Sequence, residues 1–155
     1  MKNPVIYWFR QDLRLSDLPG LSAALAAGRP VLACYILDDE SPGLWRMGGA
    51  SRWWLHHSLA TLGREIEGLG GQLYLARGRP ESILADLAAH SGADLICCSR
   101  QYEPWARQLE EDLHAALDSS GITLKRYGGS VLCEPDTVSN LAGQAFKVFT
   151  PFWRK

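Results

Sequence analysis

Three absences narrow the reading before any motif is considered. The sequence holds no long apolar run: it opens Met1-Lys2-Asn3-Pro4 and goes straight into a short apolar strand, whereas a membrane-spanning helix needs about 20 apolar residues and a secretory signal its own apolar core. It has no C-x-x-C pair either. Its four cysteines are Cys34, Cys97, Cys98 and Cys133, and three of them sit in apolar runs, where a thiol behaves as a small buried hydrophobe. Both absences suit a cytoplasmic protein with no membrane partner. Excess charge of one sign is also missing, since 16 Lys and Arg face 17 Asp and Glu. Such a balance gives no general field for phosphates or anionic lipid, so any DNA surface lies mostly elsewhere.

Neither G-x-G-x-x-G nor G-x-x-x-x-G-K-[ST] occurs, which removes the dinucleotide fingerprint and the P-loop. Gly48-Gly49 and Gly78-Arg79-Pro80 are small-residue turns of the kind most α/β proteins carry. No repeat and no low-complexity segment is present. What remains is a chain of 155 residues, 46% hydrophobic, the size of one domain with one core. Apolar runs at 5–9, 31–37, 72–76, 95–98 and 122–126 read as strands. Between them, 21–27, 51–69, 80–90 and 103–117 carry apolar residues at helical spacing, with Gly28, Gly70 and Gly121 placed as C-caps.

This alternation predicts α/β class, a parallel sheet with right-handed crossovers. The almost continuous apolarity of the second and fourth strands predicts helices on both faces. The expected architecture is therefore a Rossmann-like, doubly wound, five-stranded parallel sheet of order 3-2-1-4-5. In such a sheet the ligand crevice lies beyond the carboxyl ends of the strands, where the order reverses. That brings Arg10-Gln11-Asp12-Leu13-Arg14 beside Ser99-Arg100-Gln101-Tyr102-Glu103, flanked by the loop 38–51. A plainer reading of 10–17 is a solvated ion-pair loop, with Ser16 or Asp17 capping the helix that begins near Pro19. Trp53-Trp54 read as core rings facing the sheet. His56-His57 are adjacent, so on a helix they point about 100° apart and do not share a metal. The aromatic tail Phe149-Thr150-Pro151-Phe152-Trp153 either docks back on this domain or joins it to another.

The order of residues adds a resemblance. Trp8-Phe9-Arg10-Gln11-Asp12-Leu13-Arg14-Leu15-x-Asp17 resembles the opening signature of the photolyase/cryptochrome flavoproteins. Three further matches follow in family order: the helix start Ala50-Ser51-Arg52-Trp53-Trp54-Leu55-His56-His57-Ser58-Leu59, the loop Gln101-Tyr102-Glu103-Pro104, and Lys147-Val148-Phe149-Thr150-Pro151-Phe152-Trp153. The resemblance implies an N-terminal α/β domain that holds a light-harvesting antenna chromophore, with FAD held only by a C-terminal helical domain beyond these residues. It implies a parent enzyme, most like a bacterial cyclobutane pyrimidine dimer photolyase, in which excited reduced FAD donates an electron to a flipped dimer. On that basis residues 1–128 are the antenna domain and 129–155 an extension towards the linker. The end at Lys155 reads as a cut in a longer gene product. The partners implied are the FAD-binding domain and, through the full-length protein only, damaged DNA; the isolated chain carries no catalytic residue.

The chromophore-contacting set implied is Arg10, Asp12, Met47, Arg52, Gln101, Glu103 and Trp105. Chromophore identity stays open among a methenyl folate, a deazaflavin and FMN. Folate-binding relatives carry Asn-Glu soon after Tyr-Glu, where this chain has Trp105-Ala106. Deazaflavin or flavin binders show Asn-x-Asp-x-x-Pro plus an aromatic, and here Ser99-Arg100-Gln101-Tyr102-Glu103-Pro104-Trp105 keeps the proline and ring without the Asn and Asp. Arg52 and Trp105 also have plain readings, ion pairing and core or interdomain packing. Three alternatives accompany the antenna reading: the same domain of a cryptochrome, a stand-alone nucleotide- or flavin-binding module, and a scaffold with an empty pocket.

Overall fold

A computed structural model describes residues 2–154. Five apolar runs form five strands: β1 (Val5–Phe9), β2 (Val31–Leu37), β3 (Leu73–Arg77), β4 (Leu95–Ser99) and β5 (Thr123–Tyr127). All pairings are parallel, in the order β3-β2-β1-β4-β5. Strand β1 lies at the centre and is buried at every position, which is why its sequence is apolar without alternation. Its register sets Val5 against Val31 and Leu95, and Trp8 against Cys34 and Cys98.

The period-2 pleat then sorts residues between two cores. Val5, Tyr7 and Phe9 pack under α1 (Pro19–Ala26) and α2 (Gly49–Gly68), through Leu21, Ala24, Leu55, Leu62 and Ile66. Ile6 and Trp8 pack on the opposite face under α3 (Pro80–Ser91) and α4 (Pro104–Asp118), through Leu84, Ala88, Leu109, Leu113 and Leu117. The sheet is thus doubly wound, as expected. Proline opens α1, α3 and α4, where its missing N–H has no helical partner to lose. Helix α1 sits close to the sheet because Gly20 has no side chain: a Cβ there would lie 3.2 Å from the rings of Tyr7 and Tyr127.

Two expectations are corrected, and one of the two readings of the aromatic tail is not met. Neither Ser16 nor Asp17 caps α1: its N-cap is Leu18, with no side-chain cap bond. Instead Asp17 takes a positive φ of 56°, and the Arg14 guanidinium pins the turn by donating to the carbonyls of Ser16 and Asp17. Trp53 and Trp54 are not core. The buried stripe of α2 runs Leu55, Leu62, Ile66, and at 100° per residue Trp53 falls almost opposite it, leaving the rings 63% and 70% exposed. Nor is the aromatic tail buried on the sheet. A short helix α5 (Phe149–Trp153) stacks Phe149 on Trp153 at 5.9 Å and sets Phe152 against Phe146 at 6.1 Å, while Phe149, Phe152 and Trp153 stay exposed. Among the described residues no helix is long and apolar enough to cross a membrane.

The two kinds of position on α2 separate in denaturation. Leu62→Ala is expected to lower stability by about 2–5 kcal/mol, and Trp53→Gln to change it by no more than about 0.5 kcal/mol, read from urea midpoints. Equal losses would contradict the exposed placement of Trp53.

Candidate functional site

The carboxyl ends of β1 and β4 meet at the reversal of strand order, and a buried cation sits there. Arg10, the first residue past β1, is 7% exposed. A guanidinium out of water needs a counter-charge and hydrogen-bond acceptors. Glu110, 2% exposed on α4, accepts from Arg10 Nη1, the Ser99 carbonyl lies 3.3 Å from the same nitrogen, and the guanidinium stands 4.6 Å over the Trp8 ring. The second Glu110 oxygen accepts from Arg126 at 2.8 Å. One carboxylate therefore links the exit of β1 to α4 and β5.

Asp12 closes the other side of the knot. Its carboxylate accepts from the Arg10 amide at 2.9 Å, the Tyr7 hydroxyl at 3.0 Å and the Ser99 hydroxyl at 2.6 Å. The solvated ion-pair loop is therefore not what forms at Arg10 and Asp12, both of which are buried. Burial, then the Asp12 charge, pushes the Tyr7 phenol well above its ordinary value. Burial pushes Tyr35 up to about 12, with the charge of Asp39 adding to it, and pushes the Cys98 thiol to about 12 against the easing charge of Arg10.

Four of the expected site residues, Arg10, Met47, Gln101 and Trp105, line one cavity of about 130 Å³ at this edge. Met47 and Gln101 reach it from the loops after β2 and β4. Trp105, in the first turn of α4, both packs against the α3–α4 core and lines the cavity. Asp12 and Glu103 lie on a neighbouring hollow of about 610 Å³ with Arg14 and Tyr102. The Glu103 side chain does not cap α4; its oxygens accept from Gln11 Nε2 at 3.3 Å and the Tyr102 amide at 3.1 Å. Arg52 stands apart from both. It grips Asp39 at 2.6 and 3.2 Å and donates to the Met47 carbonyl at 3.0 Å, so it fixes the loop that carries Met47. The hydrogen bond from Arg52 is the chief reason the Asp39 carboxyl titrates below its usual range.

Sequence reasoning did not single out Glu110, Trp8 as a cavity wall, Asp38, or Glu134, which accepts from the Tyr102 hydroxyl at 2.9 and 3.0 Å. For Glu110 a signal exists: it falls at i+4 from Ala106 on the buried face of α4, and a carboxylate at core spacing calls for a buried cation.

Two predictions follow from the knot. Glu110→Leu leaves Arg10 buried without its counter-charge and is expected to lower stability by about 3–5 kcal/mol, whereas the double change Arg10→Met with Glu110→Leu restores much of that; equal losses in a denaturation series would show that the pair is not the organising contact. The raised phenols give a pH dependence of known sign. Tyr7 and Tyr35 hold their protons more tightly folded than unfolded, so their contribution is complete below the ordinary phenol value of about 10 and is lost as pH rises above it. Tyr7→Phe should flatten the fall in stability above pH ~10, and an unchanged slope would count against burial of that hydroxyl.

Comparison with known proteins agrees with this geometry. The family model for DNA photolyase matches residues 5–155. A deoxyribodipyrimidine photo-lyase of Agrobacterium fabrum is 44% identical over 151 residues, covering 97% of this chain and 31% of the relative. Cryptochrome-1 of Arabidopsis thaliana is 34% identical, covering 97% of this chain and 22% of its own length. Among solved structures, a bacterial class III photolyase from Agrobacterium tumefaciens superposes with a TM-score of 0.90 at 43% identity, covering 99% of this chain and 31% of that one. A cryptochrome from Synechocystis gives 0.86 at 29% identity, covering 97% and 32%. The chain spans less than a third of the length of these relatives, and its five-stranded parallel sheet matches their N-terminal α/β domain. By family match, sequence identity and fold together, the chain belongs to the DNA photolyase family.

Proposed function

We propose that this chain is the antenna-chromophore-binding domain of a light-dependent deoxyribodipyrimidine photolyase. The observation that carries the reading is the switch-point cavity, walled by Trp8 and Trp105 with Arg10, Met47 and Gln101 at its edge. Two indole walls and a soft thioether suit a planar heteroaromatic ring. At about 130 Å³ the cavity takes one edge of such a ring. A hollow of about 480 Å³ that shares Arg10, Gln11 and Met47 has room for the remainder. A chromophore held there would supply absorption of light and transfer of the excitation. The chain's own residues would bind it, orient it and keep water from one face.

The higher identity to a photolyase than to a cryptochrome, 44% against 34%, favours the repair enzyme over the photoreceptor. FAD, pyrimidine-dimer binding and electron transfer are assigned to the C-terminal domain found in the rest of the family's length. That domain is the partner in this reading; DNA is met only through it. The exposed rings of Trp53, Trp54, Phe149 and Trp153 are apolar surface suited to such a neighbour. Free thiols at all four cysteines fit the reducing cytoplasm in which we place the protein. Residues 129–155, in the same reading, are the extension towards the linker.

Titrating the chain with FMN, a methenyl folate and a deazaflavin, followed by absorbance and thermal shift, tests the pocket. One of the three is expected to bind, and Trp105→Ala to weaken it about tenfold, the loss of one aromatic contact. Silence from all three would overturn antenna binding. The chain alone is expected to give no light-dependent repair of dimer-containing DNA above an enzyme-free control.

A further inference from the structure

The two edges of the sheet differ in kind. Strand β5 closes one edge and leaves Thr123, Lys125 and Arg126 exposed, the charged dressing that keeps an edge from pairing with another chain. Strand β3 closes the other. It pairs only with β2, and its exposed residues are Tyr74 at 47%, Leu75 at 57% and, at its end, Arg77. Arg77 is neutralised within its own chain by Asp39 at 3.0 Å. Leu69, four residues before the strand, is a further exposed apolar side chain. An edge with a free row of backbone groups, apolar side chains on both faces and its one cation already paired is of the kind that takes up another strand.

Chemistry limits which strand fits. Among the described residues the chain beyond β5 holds no further strand, only a helical turn at Pro135–Thr137 and α5. The β5 edge of another copy would set Lys125 and Arg126 against Tyr74 and Leu75, desolvating cations with no carboxylate to meet them, in a head-to-tail contact that does not close. A second β3 has neither fault. Turned antiparallel about a two-fold axis through Tyr74, it sets Tyr74 opposite Tyr74 and, on either side of the axis, Leu73 opposite Leu75 of the other copy, and residues set opposite share a face of the sheet. Leu73 packs against the core under α1 and α2. Leu75 lies on that same face, so the paired leucines extend that core. Arg77 falls opposite Gly71, a position kept bare because a Cβ there would lie 2.9 Å from Ile66 Cγ2; no side chain then disturbs the Arg77–Asp39 pair.

We propose that β3 is a dimerisation edge, through which two copies of this chain pair antiparallel across a two-fold axis and join their sheets into one. The contact is isologous and consumes the edge, so growth stops at two copies. None of residues 73–77 lines the switch-point cavity, and the contact holds whether or not a chromophore is bound there.

Sedimentation velocity on the 155-residue chain over about 1–100 µM, where a dimer of modest affinity dissociates, tests this. The mass is expected to rise with concentration from 17.2 kDa to twice that value. Leu75→Lys buries a cation against Leu73 of the other copy and Tyr74→Lys sets two cations face to face; each is expected to weaken the dimer about tenfold or more. Both positions are exposed, so circular dichroism should show the fold unchanged. The double change Trp53→Gln with Trp54→Gln should leave the dimer intact. A chain that stays at 17.2 kDa throughout overturns the proposal. So does a dimer that survives both lysine variants, or one lost with the tryptophans instead, since association would then run through the aromatic face of α2.

Discussion

A guanidinium held out of water at the end of the central strand sets the terms for everything around it. Arg10 follows five fully buried residues in the middle of a two-sided sheet, so its side chain has nowhere to go but into the seam between β1 and β4. The carboxylate it needs comes from a helix 100 residues further along, and Glu110 in turn reaches Arg126 on β5. Asp12 bonds the backbone of Arg10 and the side chains of Tyr7 and Ser99. One buried charge thus ties the exits of β1 and β4 to α4 and β5. Such an arrangement is strongly destabilised by loss of either partner, yet adds little over a well-packed apolar alternative. Its presence is better explained by what it holds at the cavity than by stability.

The fold was legible because its two signals agreed. Strands at 5–9 and 31–37 match the expectation residue for residue, and the others shift by a residue or so, since a strand buried on both faces leaves an unbroken apolar run bounded by turns. The site was legible only in part. Arg10, Met47, Gln101 and Trp105 converge because the switch point of this strand order brings their loops together. Glu110 was missed because it lies far along the chain inside a helix, and pairing across 100 residues leaves no local pattern. Of the two readings open for Arg52, ligand contact and ion pairing, the structure shows an ion pair. Its partner, Asp39, stands thirteen residues earlier, a separation that leaves no helical spacing to read.

The tryptophans mark where binary reasoning breaks down. Trp53 and Trp54 are large and apolar, and size alone sent them to the core. The phase of α2 is fixed by Leu55, Leu62 and Ile66, a stripe that leaves no room for a ring 160° away. Exposed aromatics on α2 and on α5 are apolar surface that the sheet does not use. Which residues face another body depends on helix phase, and phase is decided by the smaller residues that pack.

The cavity reflects the same constraint at smaller scale. A cluster built for stability alone would satisfy Arg10 completely, and Glu110 together with Ser99 already supplies two acceptors. Arg10 Nη2, Trp8 Nε1 and Asp38 Oδ2 have no protein partner, and a polar group that has lost water without gaining a partner lowers stability. The residues that line the cavity have rigid anchors: the packed sheet holds Trp8, the buried ion pair holds Arg10, and the turn after β2 holds Asp38. The buried charge that ties the strand exits together and one wall of the cavity belong to the same side chain, Arg10.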